Sequence, residues 1–521
     1  MPEDKRHRRV IDGVKRAVWS DPAKRRMTEQ IPIVDDRTAQ SIIDLAMRVA
    51  EVMLSIGASA KEVTLAALRI TAAYGLRSVH VNVTFNSVIL SDHRNGAGDP
   101  ITLMQVVRSA APDHAKLQRL QALVNDIESG LPLGDAITQF HKVRRTPFMY
   151  RSGVVIVVQA LLGVAIALMY GAGPFTLLLA FIAVLGIALA QHGLARLRVP
   201  LFFTQAVGGI VLVAFAVGVF ALSMAGIEPF TEVRPSVLVS SGIVMMLAGL
   251  AVVGAAQDAI DGFSLTAGGR ILDITVMTMG LVVGILVGLE AAHQLGFGLR
   301  MPEQVLAFGP PLGHVAGAML ISAAVAVLNG AGIRIILVSA FLGAAAWAGW
   351  YLLISITGMP SAGAVFGGAL LASFIGSVVA DRLSVPSIAV TTAAMIPWVP
   401  GTSVFLGLLG FVSADADQAQ FMRAFDSLFT AGMTGIALAA GATLGIMIGS
   451  PLRVRIGGRT VMMRSKARPV SAAGGTAAFE VVRTEPVAAP EYDVEHEAPA
   501  AETDDPHPIT RPYDPKSDGL A

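Results

Sequence analysis

The sequence predicts a polytopic α-helical membrane protein of about ten transmembrane helices in a five-plus-five inverted repeat, preceded by an N-terminal cytoplasmic α+β domain. Three observations carry this. The chain of 521 residues is 54% hydrophobic and only 15% charged, with a positive mean hydropathy, a balance foreign to soluble chains of this length. Its apolar residues gather into ten runs long enough to cross a bilayer. The stretch before those runs shows the periodicities of a soluble domain instead. The formal net charge of +1 sums oppositely charged regions, and no basic stripe with interleaved aromatics points to nucleic acid. Cysteine is absent, which excludes disulfides, thiolate metal sites and a cysteine nucleophile.

Residues 1–36 form a basic arm with Lys5, Arg6, Arg8, Arg9, Lys15, Arg16, Lys24, Arg25 and Arg26. No apolar core follows it, so it reads as a disordered cytoplasmic segment near anionic lipid and not as a signal peptide. The α+β domain occupies 37–147. Ile42, Ile43, Leu45, Ala46, Val49, Met53 and Leu54 recur at helical spacing up to Ile56-Gly57, and a second helix runs from Glu62 to Tyr74. The period then changes to two. Val79, Val81 and Val83 alternate with polar residues in a strand, and Val88 to Leu90 and Ile101 to Val107 predict two more. Helices over His114 to Ser129 and Leu133 to His141 complete the domain.

The spanning segments are 153–171, 173–194, 201–224, 236–256, 271–291, 308–329, 333–357, 362–380, 386–411 and 427–450, divided into a first half (148–300) and a second half (301–452). With the N-terminus inside, the inner loops hold Arg144, Arg145, Arg151, Arg196, Arg198, Arg270, Arg334, Arg382, Arg453, Arg455 and Arg459, and the outer loops only Arg234, Arg300 and Arg423. Both termini are therefore expected in the cytoplasm, with the spans in the cell inner (plasma) membrane. The tail 453–521 turns to Ala, Pro, Glu and Asp and is expected to be disordered.

An internal repeat is suggested by Leu247 to Gly249 followed by Arg270-Ile-Leu-Asp273, and Val399 to Gly401 followed by Arg423-Ala-Phe-Asp426. Five helices per copy is an odd number, so the second copy would be inverted. Arg196-Leu-Arg-Val-Pro200 and Arg382-Leu-Ser-Val-Pro386 would instead relate segments two and eight in parallel; five plus five is preferred. Segments five and ten share the ridges Gly280/Gly284/Gly288 and Gly441/Gly445/Gly449, a spacing that lets helix backbones approach closely.

The ninth segment cannot be one continuous helix. Pro397 and Pro400 each lack an amide and clash with the preceding turn, and Gly401 follows at once. Broken backbone is tolerated at membrane depth only against protein or a watery cavity, which is the description of a transporter site. Carbonyls near Ile396 and amides at Gly401, Thr402 and Ser403 would attract opposite charges, as the two ends of a zwitterionic amino acid require. The plain alternative is a proline kink that shapes packing. Asp258, Asp261, Arg270 and Asp273 form the other polar concentration. Asp258 and Asp261, three apart, share a helix face, and a carboxylate there could couple proton movement; alternatively the four charges pair and solvate an inner loop. Gln205, Ser240, Ser241, Thr278, Ser373, Ser377, Thr391, Thr392, Thr430 and Thr434 are lesser candidates, since most such hydroxyls bond their own helix. Trp347, Trp350 and Tyr351 line a cavity or form an aromatic belt, with the belt favoured.

Taken together, Ile56-Gly-Ala-Ser-Ala60 with Glu62-Val63, the strand and turn Val79 to Ser91, the stretch Met246 to Ile271 and Ile396-Pro-Trp-Val-Pro-Gly-Thr-Ser-Val404 resemble the threonine/serine exporter family over residues 38–450. The resemblance implies a secondary transporter that exports threonine and serine, with a break in each half and Gly249 as the first-half counterpart of Gly401. Partners are then the amino acid, protons and the lipid bilayer, with self-association into a homo-oligomer left open. One departure is Ala248, where the family commonly has proline. No Walker A motif, metal spacing or cofactor motif occurs, so no cofactor is expected. A membrane-anchored hydrolase or sensor acting through the N-terminal domain is the alternative. Ser91 and His93 could share a strand face, but no GxSxG elbow surrounds Ser91.

Overall fold

The computed structural model describes residues 35–93, 100–108, 112–247, 249–297, 309–382, 391, 393–413 and 418–456. The arm, the tail from 457 onward and Thr392 lie outside them.

Four helices and a three-stranded sheet make up the N-terminal part. Helix α1 (Asp36–Ser55) starts where Asp35 accepts a hydrogen bond from the Thr38 amide, and α2 (Ala60–Ala73) where Ser59 accepts from the Glu62 amide. Strands β1 (Val79–Thr84), β2 (Ser87–Asp92) and β3 (Ile101–Val106) form an antiparallel sheet in the order β1-β2-β3, with Val83 opposite Val88. Helices α3 (His114–Glu128) and α4 (Leu133–Arg145) follow. The period-two residues Val79, Val83, Val88 and Leu90 meet Ile42, Ile43, Met53, Ile70, Leu120 and Phe140 in one core. Burial of these side chains, at roughly 1.5–3 kcal/mol each, is what holds sheet and helices together.

The membrane part contains α5 (Ser152–Met169), α6 (Pro174–Arg196), α7 (Leu201–Met224), α8 (Pro235–Met246), α9 (Gly249–Ile260), α10 (Ser264–Gln294), α11 (Pro311–Leu328), α12 (Ile333–Thr357), α13 (Ser361–Arg382), α14 (Gly401–Ser413) and α15 (Gln418–Ile456). Among the described residues eight helices are long and apolar enough to cross a membrane, nine if the bent pair α8–α9 counts as one. The chain is a multi-pass membrane protein. The ninth expected segment appears as the shorter apolar helix α14 after a 3₁₀ turn, Ile396–Trp398; residues 383–390 before it lie outside the described set. Two expected boundaries shift. Helix α10 starts at Ser264, so Arg270 and Asp273 sit on a helix and not in a loop, and α15 starts at Gln418, which puts Arg423 on a helix as well.

The glycine ridges explain the tightest pairings. A Cβ on Gly280 or Gly284 would collide with the carbonyls of Phe202 and Ala206 on α7, and one on Gly441 or Gly445 with the carbonyls of Phe366 and Leu370 on α13. The third helix of the first half thus packs on its fifth as the third of the second half packs on its fifth, and the first helices of the two halves, α5 and α11, pack on each other.

Candidate functional site

Both halves are broken, and the breaks meet. Helix α8 ends at Met246; Leu247 takes an extended conformation (ψ 137°), and the chain resumes as α9, bent by 51°. Ala248, the residue at this break where the family commonly has proline, lies outside the described residues. A distant side chain meets the break: Gln205 on α7, buried, donates from Nε2 to the Met246 carbonyl at 3.2 Å, and accepts from Gln191 Nε2 at 3.4 Å. A carbonyl released from its ladder is thereby satisfied, as buried backbone requires. In the second half the Val399 amide closes the 3₁₀ turn onto the Ile396 carbonyl, and the Gly401 amide bonds the Val399 carbonyl at 2.8 Å. Val404 bonds Pro400, while the amides of Thr402 and Ser403 make no backbone hydrogen bond among the described residues. Pro400 and Gly401 are buried, Pro397, Thr402 and Ser403 half-buried. Gly401 faces Leu247, whose Cδ1 would lie 2.8 Å from a Cβ placed there. Gly249 directly follows the first break. The Thr402 hydroxyl hydrogen-bonds the hydroxyl of Tyr170, at the end of α5.

An aromatic box stands on the second break. Trp398 is buried and lies 4.8 Å, centre to centre, from Trp350 of α12. The imidazole of His314, in the first turn of α11, is 5.4 Å from Trp350, 5.5 Å from Trp398 and 6.2 Å from Trp347. These tryptophans therefore face the break, which corrects the favoured belt reading; Tyr351 stacks on Trp347 at 5.0 Å from the exposed side. His314 was not among the sequence candidates. A lone histidine inside an apolar segment was the available signal.

The acidic group lies where α9 ends, and here the N-terminal helices and sheet pack on the membrane part. Asp258 is fully buried: its Oδ2 is 2.9 Å from Arg270 Nη1, and its Oδ1 accepts from the Ala60 amide at 3.3 Å. Arg270 also donates to the Ala58 carbonyl at 3.3 Å, in space left by Gly254. Asp261 pairs with Lys61 at 2.7 Å. Asp258 and Asp261 thus do face the same way, toward the Ala58–Lys61 segment, but Asp258 does not solvate a loop. Asp273 is exposed and stands outside this set. Glu62, one turn into α2, is brought close to Asp258; burial, with that neighbouring charge added, pushes its carboxyl up to about 7 against the bond it takes from the Ser59 amide. A second contact joins the domain to the other half: the His114 amide bonds the Asn329 carbonyl at 2.7 Å and the Tyr150 hydroxyl the Ala331 carbonyl at 2.7 Å.

Of the lesser candidates, Ser241, Thr278, Ser377 and Thr434 behave as ordinary membrane hydroxyls, each bonding a carbonyl of its own helix. Ser91 Oγ and His93 Nδ1 stand 3.5 Å apart at the exposed end of β2, and the adjacent Asp92 carboxylate accepts from Ser78. No group of three or more metal-ligating side chains occurs among the described residues.

This geometry coincides with two models of one family, the threonine/serine exporters: one matches residues 44–292 and a second residues 314–448. A Mycobacterium tuberculosis (strain ATCC 25618 / H37Rv) protein named "Probable threonine/serine exporter" is 30% identical over 440 residues, 81% of this chain and 79% of that protein. The chain belongs to the threonine/serine exporter family. A second member, named "Threonine/serine exporter", from Corynebacterium glutamicum, is 28% identical over 427 residues, covering 81% of this chain and 85% of its own length. No solved structure matches. The boundary between the two family models falls between α10 and α11, so each contains one broken segment.

Proposed function

We propose that the chain is a secondary active transporter that exports threonine, serine and similar small amino acids from the cytoplasm through the plasma membrane by proton antiport, with both termini on the cytoplasmic side. The observation that carries this is the meeting of Leu247 with Gly401: two interrupted helices abut, with the amides of Thr402 and Ser403 at the start of α14. Pro397 and Pro400 keep the second helix interrupted, and Gly249 begins the helix after the first break. A substrate carboxylate binds the Thr402 and Ser403 amides, where the helix dipole adds partial positive charge. The names of the two relatives supply the substrate class.

The halves act as inverted five-helix repeats. Equivalent glycine ridges on α10 and α15, packed on equivalent helices α7 and α13, support that reading over parallel copies. Asp258, Asp261 and Arg270 gate or couple at the inner end of α9, where the N-terminal domain docks, and Asp273 borders them one turn along α10. The test is counterflow in proteoliposomes holding the full chain, loaded with unlabelled threonine and assayed with a panel of labelled amino acids. Accumulation of labelled threonine and serine above lysine, glutamate and leucine is expected; no counterflow by any amino acid would sink the reading.

A further inference from the structure

The two breaks are made by different means. In the second half Pro397 and Pro400 cut the helix from within its own backbone. The first half has no proline between Pro235 and Ile271, and the residues at its break, Met246-Leu-Ala-Gly-Leu250, include four good helix formers. A sharp bend without proline has few causes, and one is a side chain inserted into the hydrogen-bond ladder. Gln205 is such a side chain. It is 8% exposed, and its Nε2 donates to the Met246 carbonyl at 3.2 Å, where the chain bends by 51°.

Its orientation is set from both sides. Gln191, at the half-buried end of α6, donates from Nε2 to Gln205 Oε1 at 3.4 Å, which leaves the Gln205 amino group turned toward α8. Gly208, one turn further along α7, makes the space: a Cβ there would collide with Met246 and stand 3.1 Å from Gln191 Nε2. Gln205 precedes Ala206, whose carbonyl meets Gly284 of α10, just as Ala369 precedes Leu370, whose carbonyl meets Gly445 of α15. The carboxamide thus stands in the half that lacks the prolines, and alanine stands in the half that has them.

The bond reaches transport through one residue. Leu247 follows Met246, is extended (ψ 137°) and meets Gly401, which opens α14. We propose that Gln205 is the positioning residue of the first break: it holds the Met246 carbonyl out of the ladder, keeps Leu247 against Gly401, and so seats Thr402 and Ser403 for the substrate. This rests on the exporter reading above. What matters is the donated hydrogen bond and not the bulk of the side chain. No ionisable group takes part in it. Helices α5, α7, α8 and α14 carry no Asp, Glu, Lys, Arg or His; toward this end α6 brings His192 and Arg196, α10 brings Arg270 and Asp273, and Asp258 of α9 is tied to Arg270.

The test separates bond from bulk. Full-length native protein, Gln205→Met and Gln205→Glu are reconstituted at equal abundance in proteoliposomes. Threonine exchange is measured with the same pH on both sides, stepped from about pH 8 to about pH 5, and expressed against the native protein at each step. Gln205→Met keeps the length and loses the donor, so exchange should fall at least tenfold at every pH. Gln205→Glu keeps the shape; ionised, it offers the Met246 carbonyl only acceptors, whereas protonated, its O–H donates to that carbonyl and its other oxygen still accepts from Gln191. Its exchange should be lost at the alkaline end and recover at least fivefold toward the acid end. A residue that only fills space shows no such titration. Near-native exchange in Gln205→Met, or a flat profile in Gln205→Glu, would overturn the assignment. If neither variant reaches the membrane, Gln191→Glu decides, since its carboxylate would face Gln205 Oε1: recovery toward acid supports the assignment and a flat profile overturns it. Absence of exchange in the native protein would instead defeat the exporter reading.

Discussion

Leu247 and Gly401, 154 positions apart in the chain, close the two broken helices against each other, with Leu247 Cδ1 2.8 Å and Cβ 3.3 Å from where a Gly401 Cβ would stand. Cβ contacts below 3 Å force a neighbour to move, and here that neighbour is the residue at the other break. Gly401→Ala should therefore push the breaks apart and slow exchange several-fold. Leu247→Ala on the same chain removes the obstructing atoms and should restore at least half of the loss. Initial exchange rates of the two single variants and the double variant decide it; additive losses would mean that the two residues act separately.

The prolines are expected to act by interrupting the helix. Replacing Pro397 and Pro400 together with alanine restores two amides and removes two ring clashes, each interruption being worth about 3 kcal/mol or more. Segment nine should then run as one helix, with membrane insertion retained and transport abolished. Normal efflux by the double variant, at matched membrane abundance, would discard the broken-helix site.

Glu62 makes the docking of the N-terminal domain depend on pH. Its carboxyl is raised to about 7, chiefly by burial and further by the charge of Asp258, from an ordinary value near 4.5. A carboxyl raised on folding favours the docked state fully below its ordinary value, and this contribution is lost as pH rises through the raised one. The Ala58–Lys61 contacts should accordingly loosen between pH 5 and pH 8, read as faster amide exchange over residues 58–63. Glu62→Gln, which cannot ionise, should abolish that dependence. A similar pH profile in the variant would assign it to another group.

Asp258→Asn tests the buried pair next to it. Removing one member of a buried ion pair leaves the other unmatched, at a cost of about 3–5 kcal/mol. The loss here falls on the domain contact, because Arg270 and Asp258 both bond the Ala58–Ala60 backbone. Proteolysis of the segment joining α4 to α5 should accelerate, and gradient-driven efflux should fall while exchange survives. Unchanged proteolysis would separate Asp258 from the docking of the domain.

What the sequence made legible depended on the range of the forces involved. The N-terminal helices and strands were readable because they follow local periods of 3.6 and two, closed by Ser59, Asp113 and similar caps. The second break was readable because proline acts on its own backbone. The first was expected only through the resemblance and through Leu247 to Gly249 as the counterpart of Val399 to Gly401; that Gln205, 41 positions away, satisfies the Met246 carbonyl is announced by no local residue. Asp258 looked like a loop charge for the same reason, since the amide that meets it belongs to Ala60, 198 positions earlier. His314 lay in an apolar run, and only packing brings three indoles around it.

Selectivity for a hydroxyl is the remaining question at the break. Thr402 and Ser403 occupy the first turn of α14, and the Thr402 hydroxyl already bonds Tyr170. Ser403 is half-buried beside it, with no such partner among the described residues. The two therefore part company: Thr402 positions Tyr170, whereas the Ser403 hydroxyl is available to the substrate's own hydroxyl. A buried partner left without its hydrogen bond costs about 1–3 kcal/mol, so a site that pairs with threonine and serine penalises alanine and valine. Ser403→Val should lower the preference for the hydroxy amino acids roughly tenfold, for a loss near 1.4 kcal/mol. Thr402→Ala should lower it too, and it should be partly rescued by Thr402→Ser, which keeps the bond to Tyr170; Tyr170→Phe should reproduce the defect of Thr402→Ala. Competition of labelled threonine by serine, alanine and valine, run on these variants at equal membrane abundance, gives the order directly. An unchanged order in Ser403→Val and Thr402→Ala alike would move hydroxyl recognition to the other broken helix, beside Gly249.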